Sequence, residues 1–278
     1  MSSPLPTDLA ALGNRINVET RPYHQKIDKQ VTLKFAIAVR DPKVYRQGIQ
    51  LFYHLFKTIE ECLSTEIARD SKYSAMLRDT WKPELARTDK LYSDLMFFYQ
   101  DHPEKFVTPM IKQQIESCAH IRQVTSEKPY LLLAYLHVLY LALFAGGRIM
   151  SSQVAKSLKL FPQMEGRSVD EVVALGTNLF RFDVNDPQSL RIVFKSDYDL
   201  QTRNFLSESE KQDVIEESKL AFEITADGIK EIERHNLKRL QSKLSYQIVT
   251  NGRYLALLVV TLVGFWFARR IMVHILYM

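Results

Sequence analysis

A long apolar helix that contains two adjacent glycines constrains this chain more than any other feature of its sequence. The segment runs from Tyr135 to Met150 and carries the pair Gly146-Gly147 near its end. The hydrophobic period continues on both sides of the pair, so the glycines lie within the helix and do not mark a turn. One glycine inside a helix costs roughly 1 kcal/mol relative to alanine, so two cost about 2 kcal/mol. A flat, bulky group that approaches the bare backbone must offset this cost.

The helix face that contains the glycine pair admits two interpretations. Aliphatic side chains and bare peptide recur at helical spacing along it, at Leu139, Leu143, Gly146, Gly147 and Met150. A planar ligand such as a porphyrin would lie well on this face. Paired glycines in an apolar helix also permit a second helix to pack closely. From this segment alone, the two interpretations are equally favoured.

The composition indicates an all-α protein with one globular domain. The 278 residues are 46% apolar, include only nine glycines and show no convincing period-2 alternation. A chain of this length can bury one good core with a small appendage. Helix-start signals recur at intervals suited to a bundle, at Asp41-Pro42, Thr108-Pro109, Ser126–Pro129, Ser168 with Glu171, and Ser207 with Glu210.

These signals set the expected helix bounds. We expect helices over Val44–Ile67 and Met110–Val124, and we expect the glycine-bearing helix to reach about Leu158. The capping box at Ser207 predicts an amphipathic helix from Glu208 to about Lys243.

Cysteine content and charge narrow the class of protein. The only cysteines, Cys62 and Cys118, lie in apolar-periodic segments and are expected to be buried thiols, as is typical of a reducing compartment. The net charge is only +5, and no run of basic residues alternates with aromatics. Nucleic-acid binding is therefore not expected.

The C-terminal segment is expected to anchor the chain in a membrane. Residues Tyr254–Ala268 are fifteen positions without a charge, but they span only about 22 Å of the roughly 30 Å hydrocarbon core. Snorkelling of Arg269-Arg270 and the apolar residues Ile271–Met278 close that gap. A buried helix is the alternative, yet Trp266 and Tyr277 have the placement of interfacial aromatics. The N-terminus has no apolar region of the kind found in secretory signals.

Three sequence elements, taken in order, resemble the haem oxygenases. They are Thr20-Arg-Pro-Tyr-His24, Tyr140–Gly147 and Val214–Phe222. The chain is similar to a fungal-type, membrane-anchored member of that family, and the resemblance covers roughly residues 8–235. The expected organisation is a haem-binding helical domain in residues 1–235, a polar linker in residues 236–253 and a membrane anchor in residues 254–278.

The resemblance implies a haem-oxygenase-like helical bundle and a reaction. Such an enzyme opens haem with molecular oxygen and reducing equivalents to give biliverdin or a related tetrapyrrole, carbon monoxide and ferrous iron. Haem is both substrate and cofactor, and an NADPH-cytochrome P450 reductase-type flavoprotein supplies the electrons. The anchor is expected in the endoplasmic reticulum membrane with the catalytic domain in the cytosol, and the outer mitochondrial membrane is the alternative.

The resemblance assigns the iron ligand to His24. Neutral imidazole is a suitable ligand for haem iron, and Pro22 is expected to kink the helix where that ligand is aimed. His137 is the rival among the seven histidines. It lies one turn before Tyr140 and matches a family position that points at the haem propionates, so we assign it a polar contact there.

The remaining haem contacts also follow from the family pattern. Propionates require cations at hydrogen-bonding distance, and Arg21 and Lys195 match two basic positions of the family. Two further basic positions are lost, since Asn17 and Asp199 occupy them. Arg203, one turn past Asp199, is a possible substitute. Tyr140 and Leu143 are expected to contact the haem, whereas Gly146 and Gly147 border its catalytic side.

The chain departs from the family on the distal side of the haem. Members that follow the animal and bacterial pattern order water there with an aspartate, an arginine and a tyrosine, but Leu143, Leu139 and Phe56 occupy those positions here. Apolar side chains cannot deliver protons. Three alternatives follow for this chain. Backbone amides near Gly146 hold the water by themselves, another group supplies the proton, or turnover is weak. The last case gives the alternative function, a protein that buffers or senses haem.

Overall fold

The protein is helical throughout the part of the chain that the structure describes. The computed structural model describes residues 3–109, 111–243, 246–247, 252, 257–267 and 269–270, with only the backbone for residues 28–33. No strand occurs in these ranges. The predicted all-α class is therefore confirmed.

The α-helices of these ranges are numbered in chain order. They are α1 Leu12–Glu19, α2 Arg21–Ala38, α3 Pro42–Ala68, α4 Ser74–Thr80, α5 Thr88–Phe98, α6 Lys112–Glu127, α7 Leu132–Tyr135, α8 Leu141–Lys156, α9 Val169–Leu175, α10 Pro187–Phe205, α11 Glu208–His235 and α12 Leu237–Gln241. A π-helical turn, Leu136–Tyr140, joins α7 to α8. Short 3-10 helices cover Pro83–Leu85, Pro103–Lys105, Pro129–Leu131, Leu158–Leu160 and Asn178–Phe180.

Helix α3 is the centre of the bundle. It packs against α2, α4, α5 and α6. Leu51, Leu55, Ile59 and Leu63 recur every four residues along it, and each is at most 2% exposed. Burial of one such side chain contributes about 1.5–3 kcal/mol, so this stripe fixes α3 as the scaffold on which the other helices pack.

Three of the predicted helix starts are confirmed by their caps. The Asp41 carboxylate accepts hydrogen bonds from the amides of Lys43 and Val44, at 3.0 and 3.3 Å, and starts α3. The Ser168–Glu171 and Ser207–Glu210 capping boxes start α9 and α11, each with a serine amide that donates to the glutamate at 2.7 Å. Caps of this kind are worth about 1 kcal/mol each.

Other predicted bounds are wrong by a few residues. Helix α6 begins at Lys112, where the Gln114 side chain accepts from the Ile111 amide, and not at Thr108-Pro109. Helix α8 ends at Lys156, shortly before the expected Leu158. The predicted long helix to Lys243 stops at His235, because Asn236 interrupts it before α12.

The chain divides into two compact units, Met1–Ile232 and Glu233–Met278. Within the described ranges, Pro129–Lys156 is long and apolar enough to cross a membrane, but 67% of its most apolar window is buried, as in a core helix. In the second unit, helix Leu257–Phe267 exposes its apolar side chains, and Arg270 lies 5.2 Å from the Trp266 ring. Residues 254–256, 268 and 271–278 of the expected anchor lie outside the described residues.

One buried histidine of α3 couples folding to pH. His54 is 3% exposed, and its Nε2 has no hydrogen-bond partner among the described residues. Burial lowers its pKa to about 4. Because this pKa is lower in the folded than in the unfolded chain, its contribution to stability is complete above pH 6.5 and is lost as the pH falls towards 4.

We therefore expect His54→Gln to flatten the pH dependence of stability. Between pH 7 and pH 5, the free energy of unfolding of the unmodified protein should fall by roughly 2 kcal/mol more than that of the variant. Urea denaturation followed by circular dichroism at the two pH values measures this difference. The control is His102→Gln at an exposed position, which should behave as the unmodified protein. Equal pH dependence in the His54 variant and the unmodified protein would contradict the assignment.

Candidate functional site

At the glycine pair of α8, no neighbour in the described part of the chain lies so close that it would exclude a Cβ. A Cβ built on Gly146 meets only Met150 Sδ, at 3.9 Å, and one built on Gly147 meets only Phe180 Cδ1, at 3.8 Å. Both distances are ordinary van der Waals contacts, so alanine fits at either position. The packing of the protein on itself does not explain why two glycines stand there.

At two other glycines of this fold, close packing against a neighbouring side chain does exclude a Cβ. A Cβ on Gly228 would lie 2.7 Å from Leu51 Cδ2, and a Cβ on Gly13 would lie 3.0 Å from His137 Cε1. Both distances force a neighbour to move. The contrast removes the support for the helix-packing interpretation of the glycine pair, and it favours a flat ligand against the bare backbone.

The surface around the glycine pair is apolar and partly uncovered. Leu143 and Gly146 are half-buried, Ala142 and Ala145 are exposed, and Ile149 is 63% exposed. Helix α8 packs mainly on α10 and on the 3-10 helix Asn178–Phe180, and it shares no extensive contact with α2 in the described ranges. An apolar cradle beside open backbone suits a porphyrin ring.

The π-helical turn Leu136–Tyr140 changes the register ahead of this surface. Leu139 is 7% exposed and belongs to the core, whereas Leu143 is half-buried. The predicted uniform 3.6-residue stripe is therefore interrupted between these two leucines. Single π-helical turns inside α-helices are rare and occur frequently at functional sites.

His24 lies exposed in the first turn of α2. Its ring packs edge-on against the Phe222 ring of α11, with 5.9 Å between centroids. No described residue forms a hydrogen bond with its ring nitrogens, so they are free to bind iron. The expected kink at Pro22 is wrong. The break comes at Thr20, between α1 and α2, and Pro22 occupies the first turn of α2, where a missing N–H costs nothing.

His137 is a core residue. Its Nε2 lies 3.0 Å from Asn17 Oδ1, its ring contacts Tyr198, and it is 5% exposed. Burial and then the positive charge of Lys195 lower its pKa to about 3, so the imidazole is neutral. The structure thus joins His137 to Asn17, which stands at one of the lost basic positions.

Of the three residues predicted to bind the propionates, one already forms ion pairs with carboxylates of the protein, and two do not. Arg21 is exposed and Lys195 is half-buried, and neither forms an ion pair within the described ranges. Arg203 donates to Asp199 at 2.8 Å and to Asp8 at 2.5 Å. Its charge is therefore neutralised by two carboxylates, and it is a poor substitute for a missing propionate cation.

A polar network lies beside Phe56, one of the apolar residues predicted for the distal side. Tyr140 is fully buried between the edges of Phe56 and Trp81, and its hydroxyl donates to Glu60 Oε1 at 2.9 Å. The same carboxylate accepts from the backbone amide of Arg87 at 2.6 Å. Burial, followed by the charge of Glu60, raises the pKa of Tyr140 well above its usual value. In the sequence, only the position of Glu60, one turn past Phe56 on α3, could have indicated this network.

The segment that covers Gly147 is held by two buried charges. The Arg87 guanidinium donates to the carbonyls of Leu179 and Arg181, at 3.2 and 2.6 Å, and stacks 4.2 Å from the Phe182 ring. The Asp94 carboxylate accepts from the Leu179 amide at 2.9 Å. Phe182 in turn stacks on Phe144 of α8 at 4.4 Å. Neither Arg87 nor Asp94 shows any sequence pattern that predicts this role.

Taken together, these residues fit a haem. His24 offers a free imidazole, α8 offers an apolar face with two positions that lack a Cβ, and Lys195 and Arg21 offer unpaired cations.

Comparison with known proteins identifies the family. The heme oxygenase family model matches residues 10–231. The chain belongs to the haem oxygenase family. It is 34% identical to the heme-binding protein HMX1 of Saccharomyces cerevisiae over 89% of this chain and 83% of that protein. It is 24% identical to heme oxygenase 2 of Synechocystis over 80% and 83% of the two chains.

Solved haem oxygenases share the fold. The structure of heme oxygenase-2 from Synechocystis in complex with heme and NO matches with a TM-score of 0.71 at 21% identity, over 87% of this chain and 92% of that one. Heme oxygenase from Leptospira interrogans matches with a TM-score of 0.66 at 23% identity, over 80% and 99%. The predicted haem-oxygenase-like bundle is confirmed, and haem is the ligand that this family fold accommodates.

The contrast between glycines gives a direct test of the haem cradle. We expect Gly147→Ala to leave the haem-free protein as stable or up to about 1 kcal/mol more stable, because alanine is the better helix former and has room. The same methyl group takes space from the ring, so haem affinity should fall at least ten-fold. Denaturant unfolding of the haem-free protein and haem titration by Soret absorbance measure the two quantities.

Gly228→Ala is the matched control. Its methyl group would meet Leu51 at 2.7 Å, so this variant should lose stability by about 1–3 kcal/mol. Its haem affinity, measured where it is folded, should stay near that of the unmodified protein. If Gly147→Ala lowered the free energy of unfolding of the haem-free protein by as much as it lowered the free energy of haem binding, the helix-packing interpretation would be supported instead.

Proposed function

We propose that this chain is a membrane-anchored haem oxygenase that receives electrons from a flavoprotein reductase. Membership of the haem oxygenase family supports the oxidative degradation of haem to biliverdin or a related tetrapyrrole, carbon monoxide and ferrous iron. The main observation behind the proposal is the space beside Gly146 and Gly147, which no described residue occupies. The apolar helix face around this space is partly exposed to solvent.

The residues of the chain divide the work of binding and orientation. His24 ligates the iron from the first turn of α2, and Arg21 and Lys195 hold the propionates. Gly146 and Gly147 let the α8 backbone approach the ring, and Leu143 and Phe144 line the cradle. Bound haem supplies the iron that activates molecular oxygen. His137 stays in the core, where Asn17 holds its neutral ring.

Proton delivery is the step for which this chain differs most from its family. Leu139, Leu143 and Phe56 supply no acidic or basic group at the distal side. The half-buried Glu60 accepts a hydrogen bond from the buried Tyr140 hydroxyl, and it also borders a surface groove lined by Lys57, Glu61, Ser64 and Thr65. This apolar distal side favours the second candidate function, a protein that binds and buffers haem with little turnover.

The membrane and the reductase complete the proposal. Helix Leu257–Phe267 exposes an apolar surface, and Arg270 stacks on Trp266 in the manner of a cation at a bilayer interface. An anchor of this kind in the endoplasmic reticulum membrane would place the catalytic domain in the cytosol, beside an NADPH-cytochrome P450 reductase-type flavoprotein. The outer mitochondrial membrane is the alternative location. The proposed role is haem turnover and iron reutilisation.

Turnover in a defined mixture tests the function. The full chain in detergent is loaded with haem and supplied with NADPH and cytochrome P450 reductase, with catalase present to remove free peroxide. We expect the Soret band to disappear while a ferrous chelator traps about one iron per haem. Haem that stays bound and intact while NADPH is consumed would support the buffering function instead.

We expect His24→Ala to abolish the iron ligation of the loaded protein. The ferric haem spectrum should change to that of a weakly ligated haem, and added imidazole should restore it because imidazole enters the space that the side chain leaves. His137→Ala is the control, since that ring is held by Asn17 within the core. An unchanged spectrum in His24→Ala, together with a changed one in His137→Ala, would reverse the two assignments.

Removal of residues 254–278 tests the anchor. The shortened protein should appear in the soluble fraction of lysed cells and should bind haem as tightly as the full chain. The full chain should remain with membranes after carbonate washing. A shortened protein that still resists carbonate extraction would show that the membrane attachment lies elsewhere.

A further inference from the structure

The excess positive charge of this chain lies in its C-terminal part. The whole chain has 37 Lys and Arg against 32 Asp and Glu. Glu233 is the last acidic residue, so residues 234–278 contain seven of the cations and none of the acids. Residues 1–233 therefore have 30 cations and 32 acids, a net charge of −2. The excess cations thus belong to the second compact unit, which begins at Glu233.

These seven cations are distributed unequally around the apolar helix Leu257–Phe267. Arg269 and Arg270 follow the helix, and the other five precede it. We call residues 234–253 the basic segment, which contains Arg234, Lys238, Arg239, Lys243 and Arg253. An excess of Lys and Arg before a membrane-spanning helix is typical of its cytosolic side. Clusters of about four to eight cations directly beside such a helix are typical of segments that bind acidic lipids.

The described part of the basic segment presents cations to solvent. Lys238 and Arg239 of α12 are exposed, and so is Arg234 in the last turn of α11. Leu240 of α12 is only 3% exposed, whereas Leu237 is 37% exposed and stands beside the cations. An apolar side chain next to several cations suits the boundary between lipid headgroups and acyl chains.

The chain between α12 and the apolar helix sets how far these cations lie from a bilayer. Leu257 comes sixteen residues after Gln241, a length of about 24 Å as a helix and about 55 Å when fully extended. Charges in water interact only within about 8 Å at physiological salt. A tether of this length allows the cations to reach the headgroups and prevents them from diffusing away, so binding takes place at a high effective concentration.

A chain segment that serves only as a spacer does not require charges of one sign. Like charges in one segment repel each other, and such segments often serve as interaction surfaces. The matching partner is a surface that carries many negative groups and lies at the end of the tether. A bilayer leaflet that contains anionic phospholipids meets both conditions.

We propose that the basic segment binds the anionic headgroups of the bilayer in which the chain is anchored, with phosphatidylserine as the representative lipid. This inference rests on the proposed function, since only an anchored chain holds the segment at a membrane surface. The apolar helix attaches the protein to any bilayer, and the basic segment gives it a preference for an acidic one. Each cation near an acidic surface raises binding about five-fold.

Quenching of tryptophan fluorescence by brominated lipids tests the proposal. The full chain is reconstituted in phosphatidylcholine vesicles that contain a fixed fraction of brominated phosphatidylserine or of brominated phosphatidylcholine. Trp266 is 54% exposed on the apolar helix and reports the lipids beside it, whereas Trp81 in the first unit gives a constant background. We expect a preference of about five-fold or more for phosphatidylserine. At 1 M salt, where screening acts within about 3 Å, the preference should disappear.

Variants separate the basic segment from the charge of the whole protein. The triple variant Arg234→Gln, Lys238→Gln, Arg239→Gln should lose most of the preference. Arg234→Lys with Arg239→Lys keeps the charges and should keep the preference. The matched control removes three exposed cations of the first unit and should behave as the unmodified protein, and its changes are Lys156→Gln, Lys159→Gln and Arg167→Gln.

The possible outcomes distinguish this inference from the anchor itself. Equal quenching by the two lipids in the unmodified protein would overturn the inference and leave the anchor intact. An equal loss of preference in the matched control would also overturn it. A triple variant that keeps the preference but loses turnover with the reductase would assign the cations to an acidic protein partner, and so would overturn it too. Quenching by neither lipid would overturn the proposed anchor as well.

Discussion

The buried guanidinium of Arg87 is the interaction on which the geometry of the site depends. It is completely inaccessible to solvent, and it donates to backbone carbonyls of two segments, those of Glu84 and Leu85 and those of Leu179 and Arg181. Burial lowers its pKa to about 10, which still leaves it charged at neutral pH. A cation that is buried in this way requires all of its acceptors. The carbonyls therefore cannot move away, and the segment that carries Phe180 and Phe182 is fixed against α8.

The same residue connects this segment to the core. Its backbone amide donates to Glu60 on α3, and that carboxylate also accepts from Tyr140 just before α8. The scaffold helix, the π-helical turn and the covering segment are thus joined through the half-buried carboxylate of Glu60 and the buried residue Arg87. The position of the glycine pair depends on these two contacts.

The sequence predicted the parts of the structure that local chemistry determines. The Asp41 cap and the two capping boxes set helix starts through hydrogen bonds within four residues, and all three were confirmed. The glycine pair pointed to the cradle, because a glycine inside a helix has a local cost. Long-range pairings were not visible. Arg87 meets Leu179 ninety-two residues away, and the ion pair of Arg203 with Asp8 spans 195 residues, so neither contact could be anticipated. Only the pairing of Arg203 with Asp199, four residues before it on α10, was open to prediction from the sequence. The π-helical turn was also missed, because the hydrophobic pattern across Leu136–Tyr140 does not differ from that of an α-helix.

Because part of the apolar face of α8 is exposed, binding of haem should stabilise the folded protein. Without haem, Leu143 and Ile149 leave apolar surface in water. A ligand that binds only the folded chain at one hundred times its dissociation constant raises the free energy of unfolding by about 2.7 kcal/mol. A change of this size lowers the unfolded population about a hundred-fold, and proteases act on that population. We therefore expect the protein to persist longer in a cell that holds more free haem.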